Sequence, residues 1–255
     1  ILNTFDLTGK TAIVTGGGRG LGKGIAEGLC EAGASVVIIG SSNSIINTAK
    51  EFTDKGFIAY AIKGDLSNKE LIPTIFNEAL SKLNGKIDIL INNAGVLDKG
   101  LNAIDQIDYD DLNRVIDINQ KGTMYCMSEA LKVMKSGASI VNISSVAGQY
   151  GAGGAVYVST KAAIIGVTKH AAMRFAKEKI RCNVICPGSI TTDMAAGLTP
   201  DTMDMKMMGA MSAHSDLTLQ PCSPLDVAKV ALFLASDDAA PLTGQVVVSD
   251  YGVDL

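Results

Sequence analysis

The feature that most constrains the fold is a short apolar run that ends in a cluster of glycines. Residues 10–15 (KTAIVT) are rich in β-formers, which predicts a buried first strand. Eight residues, TGGGRGLG from Thr15 to Gly22, overlap its end, and a helical segment runs from Lys23 to Glu31. A helix that starts behind a glycine turn presents free backbone N–H groups and the positive end of its dipole. The sequence therefore predicts a diphosphate-binding turn, the plainer alternative being a tight strand–helix turn without a ligand.

Apolar runs of strand length recur along the rest of the chain. They occupy residues 35–40, 57–63, 87–91, 139–143, 180–186 and 245–249. Helical patterns separate many of these runs, including one over residues 109–130 and a last one over residues 224–236. At 255 residues the chain suits one large domain. The alternation predicts the α/β class, with a doubly wound parallel sheet in a single domain over residues 1–255.

Composition and charge exclude several classes of partner. The formal net charge is −4 and there is no long basic run, so we expect no nucleic-acid partner. Apolar stretches of membrane-spanning length and the features of a signal peptide are both missing from the sequence, so we expect no membrane partner. The five cysteines form no C-x-x-C pair and there are only two histidines, which makes a metal site improbable. These thiols are typical of a cytoplasmic protein.

The end of the second strand bears on the choice of dinucleotide. Sites that bind NAD usually place an acidic residue there to accept the ribose 2′-hydroxyl. This chain has Gly40-Ser41-Ser42-Asn43 instead, without a carboxylate. The hydroxyls of Ser41 and Ser42, together with Arg19 in the glycine turn, suit a 2′-phosphate. We therefore predict NADP(H) as the cofactor, with NAD(H) as the alternative.

Polar residues also follow later strands. Asp65, next to Leu66, has two interpretations: a hydrogen bond to an adenine amino group, or the N-cap of the next helix. Asn92-Asn93-Ala94-Gly95 follows the fourth strand, where a ligand crosses the carboxyl ends of a parallel sheet, although asparagines can also merely stabilise a turn. Asn119 and Gly122 interrupt the helical pattern over residues 109–130, which predicts a kink with a packing or functional reason.

Tyr157 and Lys161 are four residues apart in a helical segment and therefore share one helical face. An ammonium group beside a phenol favours the phenolate, so we expect Lys161 to lower the pKa of Tyr157 toward neutrality. A phenol with such a pKa can exchange a proton with an alcohol or a carbonyl group. By itself this spacing more often marks an ordinary helix surface than a catalytic pair.

Six motifs together, in order, resemble the short-chain dehydrogenase/reductase family in its ordinary single-domain, Rossmann-type form. The glycine turn does not match the strict G-x-G-x-x-G pattern but the form T-G-x-x-x-G-x-G, and the resemblance runs nearly from end to end. The nearest members in character are the β-ketoacyl reductases, the sugar-acid dehydrogenases and the bacterial hydroxysteroid dehydrogenases. The six motifs are Thr15-Gly16-x-x-x-Gly20-x-Gly22, Asn92-Asn93-Ala94-Gly95, Asn119, Ser145, Tyr157-x-x-x-Lys161 and Pro187-Gly188.

The resemblance implies hydride transfer between a nicotinamide and a secondary alcohol or ketone. Tyr157 is then the acid/base, Lys161 tunes it and holds the nicotinamide ribose, and Ser145 bonds the reacting oxygen. Asn119 is expected to hold a water that links Lys161 to solvent. The predicted cofactor-binding residues are Gly16, Gly18, Arg19, Gly20, Leu21, Gly22, Ser41, Ser42, Asp65, Leu66, Asn92, Ala94, Gly95, Tyr157, Lys161, Pro187, Gly188, Ile190 and Thr192.

Two departures from the family pattern concern the site. The family commonly places its serine thirteen residues before the tyrosine, which selects Ser144, whereas the S-x-x-G pattern selects Ser145. Side chains alternate along a strand, so the two cannot face the substrate equally, and we prefer Ser145 with Ser144 as the rival. Near the C-terminus, Ser249-Asp250-Tyr251-Gly252 replaces the more usual Val-Asp-Gly-Gly.

Residues 193–222 lack strong periodicity, which predicts a substrate lid. The segment holds six of the ten methionines and several aspartates, among them Asp193, while Lys206 is its one Lys or Arg residue. A strongly anionic substrate usually requires an arginine fork, and methionine suits bulky apolar ligands, so we expect a neutral, alicyclic or steroid-like alcohol or ketone. The methionines can equally pack the lid onto the core.

Other functions remain as alternatives. Within the family these are a sugar-acid or polyol dehydrogenase and a 3-oxoacyl reductase. Outside enzymes, a nucleotide-sensing protein could keep the fold without turnover. The resemblance further suggests a homotetramer, or a dimer, that associates through the helices over residues 113–135 and 156–177.

Overall fold

The computed structural model describes residues 5–192, 194, 198–199, 201–216 and 218–254. Seven parallel strands form one sheet in the order β3-β2-β1-β4-β5-β6-β7. This is the predicted doubly wound arrangement. The strands are β1 (Thr11–Thr15), β2 (Ser35–Gly40), β3 (Ala59–Lys63), β4 (Ile89–Asn92), β5 (Ser139–Ile143), β6 (Arg181–Pro187) and β7 (Val246–Ser249).

Helices cover both faces of this sheet. Those of the first half are α1 (Gly20–Glu31), α2 (Ser44–Asp54), α3 (Ile72–Lys82) and α4 (Tyr109–Val115), which continues through a π-helical segment (Ile116–Gly122) into α5 (Thr123–Leu131). Those of the second half are α6 (Val146–Tyr150), α7 (Ala155–Phe175), α8 (Met205–Ser212) and α9 (Pro224–Ala235). Among the residues described, no helix is long and apolar enough to cross a membrane.

The central strands are buried on both faces, which explains their unbroken apolar sequences. Along β1, Ala12 and Val14 join the core that contains α1, α2 and α9, whereas Ile13 joins the opposite core with α3, α5 and α7. Side chains of a strand alternate between faces, and parallel sheets carry helices on both. All five cysteine thiols are buried and unpaired.

Several element boundaries differ from those predicted. β3 begins at Ala59, two residues after the predicted start, and β4 extends to Asn92 rather than ending at residue 91. The sequence analysis assigns no helix over residues 44–54, where α2 forms, and none inside the lid, where α8 forms. The helix predicted over residues 109–130 is interrupted near Asn119, as expected, by the π-helical segment.

The strand order shows at which edge of the sheet a ligand would bind. β1 lies between β2 and β4, so the chain leaves β1 toward one side of the sheet and later returns to the other. A crevice opens outside the carboxyl ends of the strands at such a reversal, and ligands of open α/β sheets bind there. The glycine turn after β1 and the Asn92–Gly95 motif after β4 both lie at this edge.

Candidate active site

Tyr157 and Lys161 lie in the first two turns of α7, and both are buried. The Lys161 Nζ lies 5.5 Å from the centroid of the Tyr157 ring, so the predicted pairing on one helical face is present. The Lys161 ammonium donates a hydrogen bond to the carbonyl of Ile143, at the end of β5, with a length of 2.9 Å. The pair is therefore anchored directly to the carboxyl edge of the sheet.

The pKa of Tyr157 shifts in the direction opposite to the predicted one. Burial raises the pKa of Tyr157 to about 12, and a hydrogen bond with the Ser145 side chain opposes this rise. Burial also lowers the pKa of Lys161 to about 8, because desolvation disfavours its ammonium form. The prediction failed because it counted the charge of the lysine but not the desolvation of both groups.

The two candidate serines have separate environments. Ser144 is buried, and its Oγ donates a hydrogen bond of 2.7 Å to the backbone carbonyl of Lys161. Ser145 caps α6 by accepting a hydrogen bond of 3.1 Å from the Ala147 N–H, and its side chain also acts to lower the pKa of the Tyr157 phenol. The structure thus brings Ser145 to the tyrosine, while Ser144 joins β5 to α7.

Asn119 lies in the π-helical segment, where its side chain is buried. Its Oδ1 accepts a hydrogen bond of 2.8 Å from the Val96 N–H, and its Nδ2 donates to the Val96 carbonyl at 2.9 Å and to Thr160 Oγ1 at 3.2 Å. A Cβ at Gly95 would lie 3.4 Å from both Asn119 Oδ1 and Lys161 Nζ. The asparagine and the lysine therefore converge beside Gly95.

The glycine turn after β1 is closely packed. Gly16 has a φ of +67°, and a Cβ there would lie 2.8 Å from the Ala94 Cα. A Cβ at Gly22 would collide with the carbonyl oxygen of Gly16 and with the amide of Asn93. Glycine at these two positions is therefore what lets the turn pack against itself and against the segment after β4.

Asn93, which the sequence analysis does not single out as a binding residue, fastens this turn. Its Nδ2 donates to the carbonyls of Thr15 at 3.0 Å and Gly16 at 3.2 Å. The predicted Asn92 side chain instead lies on the face of the sheet that α5 and α7 cover, where its Nδ2 donates to Asn142 Oδ1 at 2.8 Å. Because β4 extends to Asn92, strand alternation directs its side chain away from the crevice. Its predicted contact with the cofactor would have to come from the backbone.

Two cationic side chains lie near the end of β2. Arg19 is exposed at the start of α1, next to Gly18, whose carbonyl accepts a hydrogen bond of 3.0 Å from Thr48 of α2. Lys63 is aligned with Gly40 in the sheet, and its Nζ donates a hydrogen bond of 2.8 Å to Asn43 Oδ1. Lys63 is not among the residues predicted from the sequence, although parallel register between the second and third strands places it beside the end of β2.

Hydroxyl groups and one aspartate complete this corner. Ser41 and Ser42 are both exposed, and the Ser42 hydroxyl lies 2.6 Å from that of Ser44. Asp65 accepts hydrogen bonds from the Ser67 N–H at 2.9 Å and the Ser67 Oγ at 2.7 Å. The alternative that Asp65 is the N-cap of the next helix is wrong, because α3 begins only at Ile72.

The segment after β6 reaches back to the glycine turn. The Gly188 N–H donates a hydrogen bond of 3.0 Å to the Ser249 carbonyl, which extends the strand pairing beyond Pro187. Ile190 forms a single β-bridge with Cys222, and Thr192 Cγ2 would lie 3.3 Å from a Cβ at Gly20. The predicted residues of this segment thus lie between the lid and the turn.

The described part of the lid packs only loosely against the rest of the protein. Asp193 falls outside the described residues, and α8 is the one helix between residues 198 and 222 among the residues described. Every residue of α8 is at least partly exposed to solvent. The Asp204 side chain caps this helix, and the backbone N–H of Asp204 donates a hydrogen bond of 2.9 Å to the carbonyl of Gly100. The lid is therefore attached to the loop after β4.

Comparisons with known proteins agree with this geometry. A 3β-hydroxysteroid dehydrogenase of Mediterraneibacter gnavus is 34% identical over 274 residues, which cover 99% of this chain and 96% of the relative. A 3-oxoacyl-(acyl-carrier-protein) reductase, FabG of Staphylococcus aureus, is 36% identical over 251 residues, covering 96% and 98% respectively. Among solved structures, a short-chain dehydrogenase of Burkholderia cenocepacia in complex with NADP has a TM-score of 0.85 and 28% identity, covering 96% of this chain and 98% of the other.

A family model matches almost the same span. The model described as enoyl-(acyl carrier protein) reductase covers residues 16–254, from the glycine turn to the C-terminal segment. The motifs, the sheet order and the pairing of Tyr157 with Lys161 agree with this match. The chain belongs to the short-chain dehydrogenase/reductase family.

Proposed function

We propose that this protein is an NADP(H)-dependent reductase or dehydrogenase for a neutral, largely apolar alcohol or ketone of alicyclic or steroid-like shape. The reaction class follows from family membership: the chain is an oxidoreductase that acts on CH–OH or C=O groups with a nicotinamide cofactor. The observation that carries the site assignment is the convergence of Tyr157, Lys161 and Ser145 at the carboxyl edge of the sheet.

The glycine backbone between Gly16 and Gly22 suits a dinucleotide diphosphate, and Tyr157 lies at the same carboxyl edge of the sheet. When bound there, the nicotinamide supplies a hydride to the carbonyl carbon or accepts one from the alcohol carbon. The residues that would hold the cofactor are those of the glycine turn, the end of β2, the backbone after β4 and the segment from Pro187 to Thr192.

In this mechanism the Tyr157 phenol gives its proton to the carbonyl oxygen during reduction and takes it back during oxidation. Ser145 donates a hydrogen bond to the same oxygen and stabilises the charge that develops there. The pKa of Lys161 of about 8 lets it lose and regain a proton near neutral pH. It therefore returns protons toward Tyr157 from the side of Asn119, where a water completes the relay.

The preference for NADP(H) rests on charge. Arg19 and Lys63 are both exposed near the end of β2, and Ser41 and Ser42 add hydroxyl donors. The end of β2 itself, from Gly40 to Asn43, lacks the carboxylate that would bond a free ribose hydroxyl and repel a phosphate. Guanidinium and ammonium groups bind phosphate well, so the same corner supports a 2′-phosphate. NAD(H) stays the alternative outcome of the cofactor assay.

The substrate class rests on the lid. Its methionines at positions 203, 207, 208 and 211 are half-buried and that at 205 is exposed, so thioether surface remains available to a ligand. The name of the Mediterraneibacter relative agrees with a steroid-like substrate, and that of the Staphylococcus relative keeps a 3-oxoacyl substrate as an alternative. A sugar-acid or polyol substrate would find Lys206 as the one cationic side chain in the lid sequence.

The test is the absorbance change of the nicotinamide with a panel of alcohols and ketones, each run with both cofactors. The panel contains hydroxysteroids, simple alicyclic alcohols, sugar acids and 3-oxoacyl thioesters. We expect the highest kcat/KM on a neutral cyclic substrate with NADP(H). A best substrate that is anionic would contradict the lid argument, and tight NADPH binding without turnover on any substrate would favour the nucleotide-sensing alternative.

The assembly proposed is a homotetramer, with a dimer as the alternative. The helices over residues 113–135 and 156–177 expose apolar side chains, with Met124 at 44% and Met173 at 73% exposure. Burial of such surface is the usual driving force of association. Sedimentation velocity should give the mass of four chains, and a Met173→Lys variant should dissociate. The cytoplasmic location stays a prediction from the sequence.

A further inference from the structure

The start of α7 is capped by a distant loop. Its N-cap residue is Gly154, which has no side chain to accept the free N–H groups of the first turn. Instead, the Ala155 N–H donates to the carbonyl of Asn102 at 2.9 Å, and the N–H groups of Val156 and Tyr157 donate to Asp98 Oδ2 at 3.2 and 3.4 Å. The acid/base tyrosine is thus hydrogen-bonded through its own backbone to a carboxylate.

Asp98 has an unusual environment for a carboxylate. Its side chain is buried, and among the residues that the structure describes its Oδ1 has no hydrogen-bond partner. A Cβ at Gly154 would collide with both carboxylate oxygens, so glycine at this position is what lets the carboxylate reach the helix. Such burial is costly unless something holds the charge, and here the helix N–H groups and dipole do so.

The loop that carries Asp98 is held from two other sides. The Lys99 N–H donates a hydrogen bond of 2.6 Å to Asp111 of α4, and Arg114 of α4 donates one of 2.7 Å to the Leu97 carbonyl. From the lid, the Asp204 N–H donates to the Gly100 carbonyl. The cap of α7 is therefore fixed to α4 and to the lid at once.

We propose that Asp98 is a positioning residue for Tyr157: its buried carboxylate fixes the first turn of α7, and its negative charge, held beside that turn, disfavours the phenolate. The inference rests on the proposed acid/base function of Tyr157. It assigns Asp98 two separable contributions, one from hydrogen-bond acceptance and one from charge. Alcohol oxidation, which needs the phenolate, is then displaced to more alkaline pH, whereas ketone reduction starts from the prevailing form.

The charges around Asp98 agree with this assignment. Burial raises the pKa of Asp98, the helix N–H groups of Val156 and Tyr157 oppose this rise, and the neighbouring Asp111 adds to it. The negative charge of Asp98 in turn raises the pKa of Tyr157, in addition to the larger effect of burial. Besides Asp111, the charged side chains on these elements include Lys99 on the same loop, Arg114 on α4, paired with Asp111 at 2.7 Å, Asp204 on the lid, and Lys161 on α7, whose Nζ lies 5.5 Å from the Tyr157 ring centroid.

Two variants separate the two contributions. Asp98→Asn keeps the shape and one acceptor oxygen but removes the charge, whereas Asp98→Ala removes both. Asp226→Ala is the matched control, because Asp226 also accepts backbone and hydroxyl hydrogen bonds at a helix start, that of α9, and these come from Ser223 rather than from α7. Circular dichroism establishes that all three variants are folded.

The first measurement is amide hydrogen exchange of the peptide covering residues 155–158. We expect Asp98→Ala to accelerate exchange there by about tenfold, as loss of a helix cap does, while Asp226→Ala leaves it unchanged. Asp98→Asn should stay close to the wild type. Unchanged exchange in Asp98→Ala would overturn the positioning assignment.

The second measurement is carbon-13 NMR of the NADP⁺ complex labelled at tyrosine Cζ, with the Tyr157 signal identified by its loss in Tyr157→Phe. We expect the phenol of Asp98→Asn to titrate about half a pH unit below that of the wild type. Titration at the same pH would overturn the charge assignment. Neither measurement uses turnover, so a failure of the proposed function, seen as retained activity of Tyr157→Phe, is distinguishable from a failure of this inference.

Discussion

The turn after β1 and the lid lie on the two sides of one crevice, yet they are built differently. In the turn, Gly16 and Gly22 leave no space for a Cβ, and Asn93 holds the backbone with two hydrogen bonds. In the lid, every residue of α8 is partly exposed, and a Cβ at Gly209 would have no heavy atom within 4 Å. The turn therefore has no space for an added side chain at these glycines, whereas α8 in the lid can accept one.

The difference separates the invariable part of the reaction from the adjustable part. The diphosphate is the same group in every turnover, and hydride transfer requires the reacting groups at fixed distances, so we expect the turn, β5 and α7 to be rigid. Substrates vary in shape, and a sparsely packed segment with flexible thioethers can adapt to them. Proteins of this family can therefore share a site and differ in substrate.

The largest difference between the turn and the lid is expected for a substitution of Gly22. A Cβ in Gly22→Ala would meet the Gly16 carbonyl and the Asn93 amide, so we expect the variant to lose detectable NADPH binding and about 2–3 kcal/mol of unfolding free energy. Gly209→Ala in α8 is the matched control. It should keep the Kd for NADPH and gain up to about 1 kcal/mol from helix propensity. Fluorescence titration and urea unfolding measure both, and equal losses in the two variants would contradict the comparison.

The next largest effect concerns the two serines on the rigid side. Ser145→Ala removes the hydroxyl that interacts with the Tyr157 phenol, and we expect kcat to fall by about 10²- to 10³-fold. Ser144→Ala removes a hydrogen bond between β5 and α7, which should lower stability by about 1 kcal/mol and kcat by less than about tenfold. Steady-state kinetics with the best substrate of the panel decide the ranking, and its reversal would transfer the catalytic role to Ser144.

Lys161 tests whether the rigid side sacrifices stability for function. Burial lowers the pKa of Lys161 to about 8, so keeping its ammonium form in the folded protein costs roughly 3 kcal/mol of unfolding free energy at neutral pH. A Lys161→Met variant avoids this cost but loses the hydrogen bond to Ile143, which is worth about 1–2 kcal/mol. We therefore expect Lys161→Met to be inactive but more stable than the wild type at neutral pH by about 1–2 kcal/mol.

The pH dependence gives the sign of this effect. At pH values between about 8 and the ordinary lysine pKa, folded Lys161 has lost its proton while the unfolded chain keeps one, so wild-type stability rises with pH across this window. The advantage of Lys161→Met should therefore shrink as the pH rises. Urea unfolding at several pH values measures it, with Lys169→Met on the exposed side of α7 as the control. A constant difference would refute the assignment to desolvation.

The smallest effects should come from the lid. Met207 and Met208 are half-buried in α8, and replacing either with glutamine should raise the KM for an apolar ketone several-fold, because about 1 kcal/mol of apolar contact is lost. The kcat and the KM for NADPH should change by less than about twofold. A fall in kcat with unchanged KM would mean that these methionines pack the lid onto the core rather than contact substrate.

The sequence was most informative where one physical requirement dominates. Unbroken Val and Ile runs required a sheet covered on both faces, and the glycines after Thr15 required close backbone approach; both predictions describe the structure. Asn119 was predicted at a kink for the same reason, since an asparagine and a glycine disturb a helix. Lys63 was not predicted because it comes close to Asn43 only through the pairing of β2 with β3.

What the sequence could not supply depends on burial and on contacts between distant segments. The pKa of Tyr157 was predicted in the wrong direction because desolvation is invisible in a Tyr-x-x-x-Lys spacing. The Asn92 side chain faces away from the crevice because β4 extends one residue beyond its predicted end. The capping of α7 by Asp98 joins residues far apart in the chain, and no local pattern marks it.

The most direct test of the account is turnover by Tyr157→Phe, measured together with its NADPH affinity. The substitution removes only the phenol oxygen from the rigid side of the crevice. We predict that kcat falls by at least about 10³-fold in both directions while the Kd for NADPH changes by less than about twofold. Retained turnover would show that another group carries the proton, and the convergence of Tyr157, Lys161 and Ser145 would then lose its meaning as an active site.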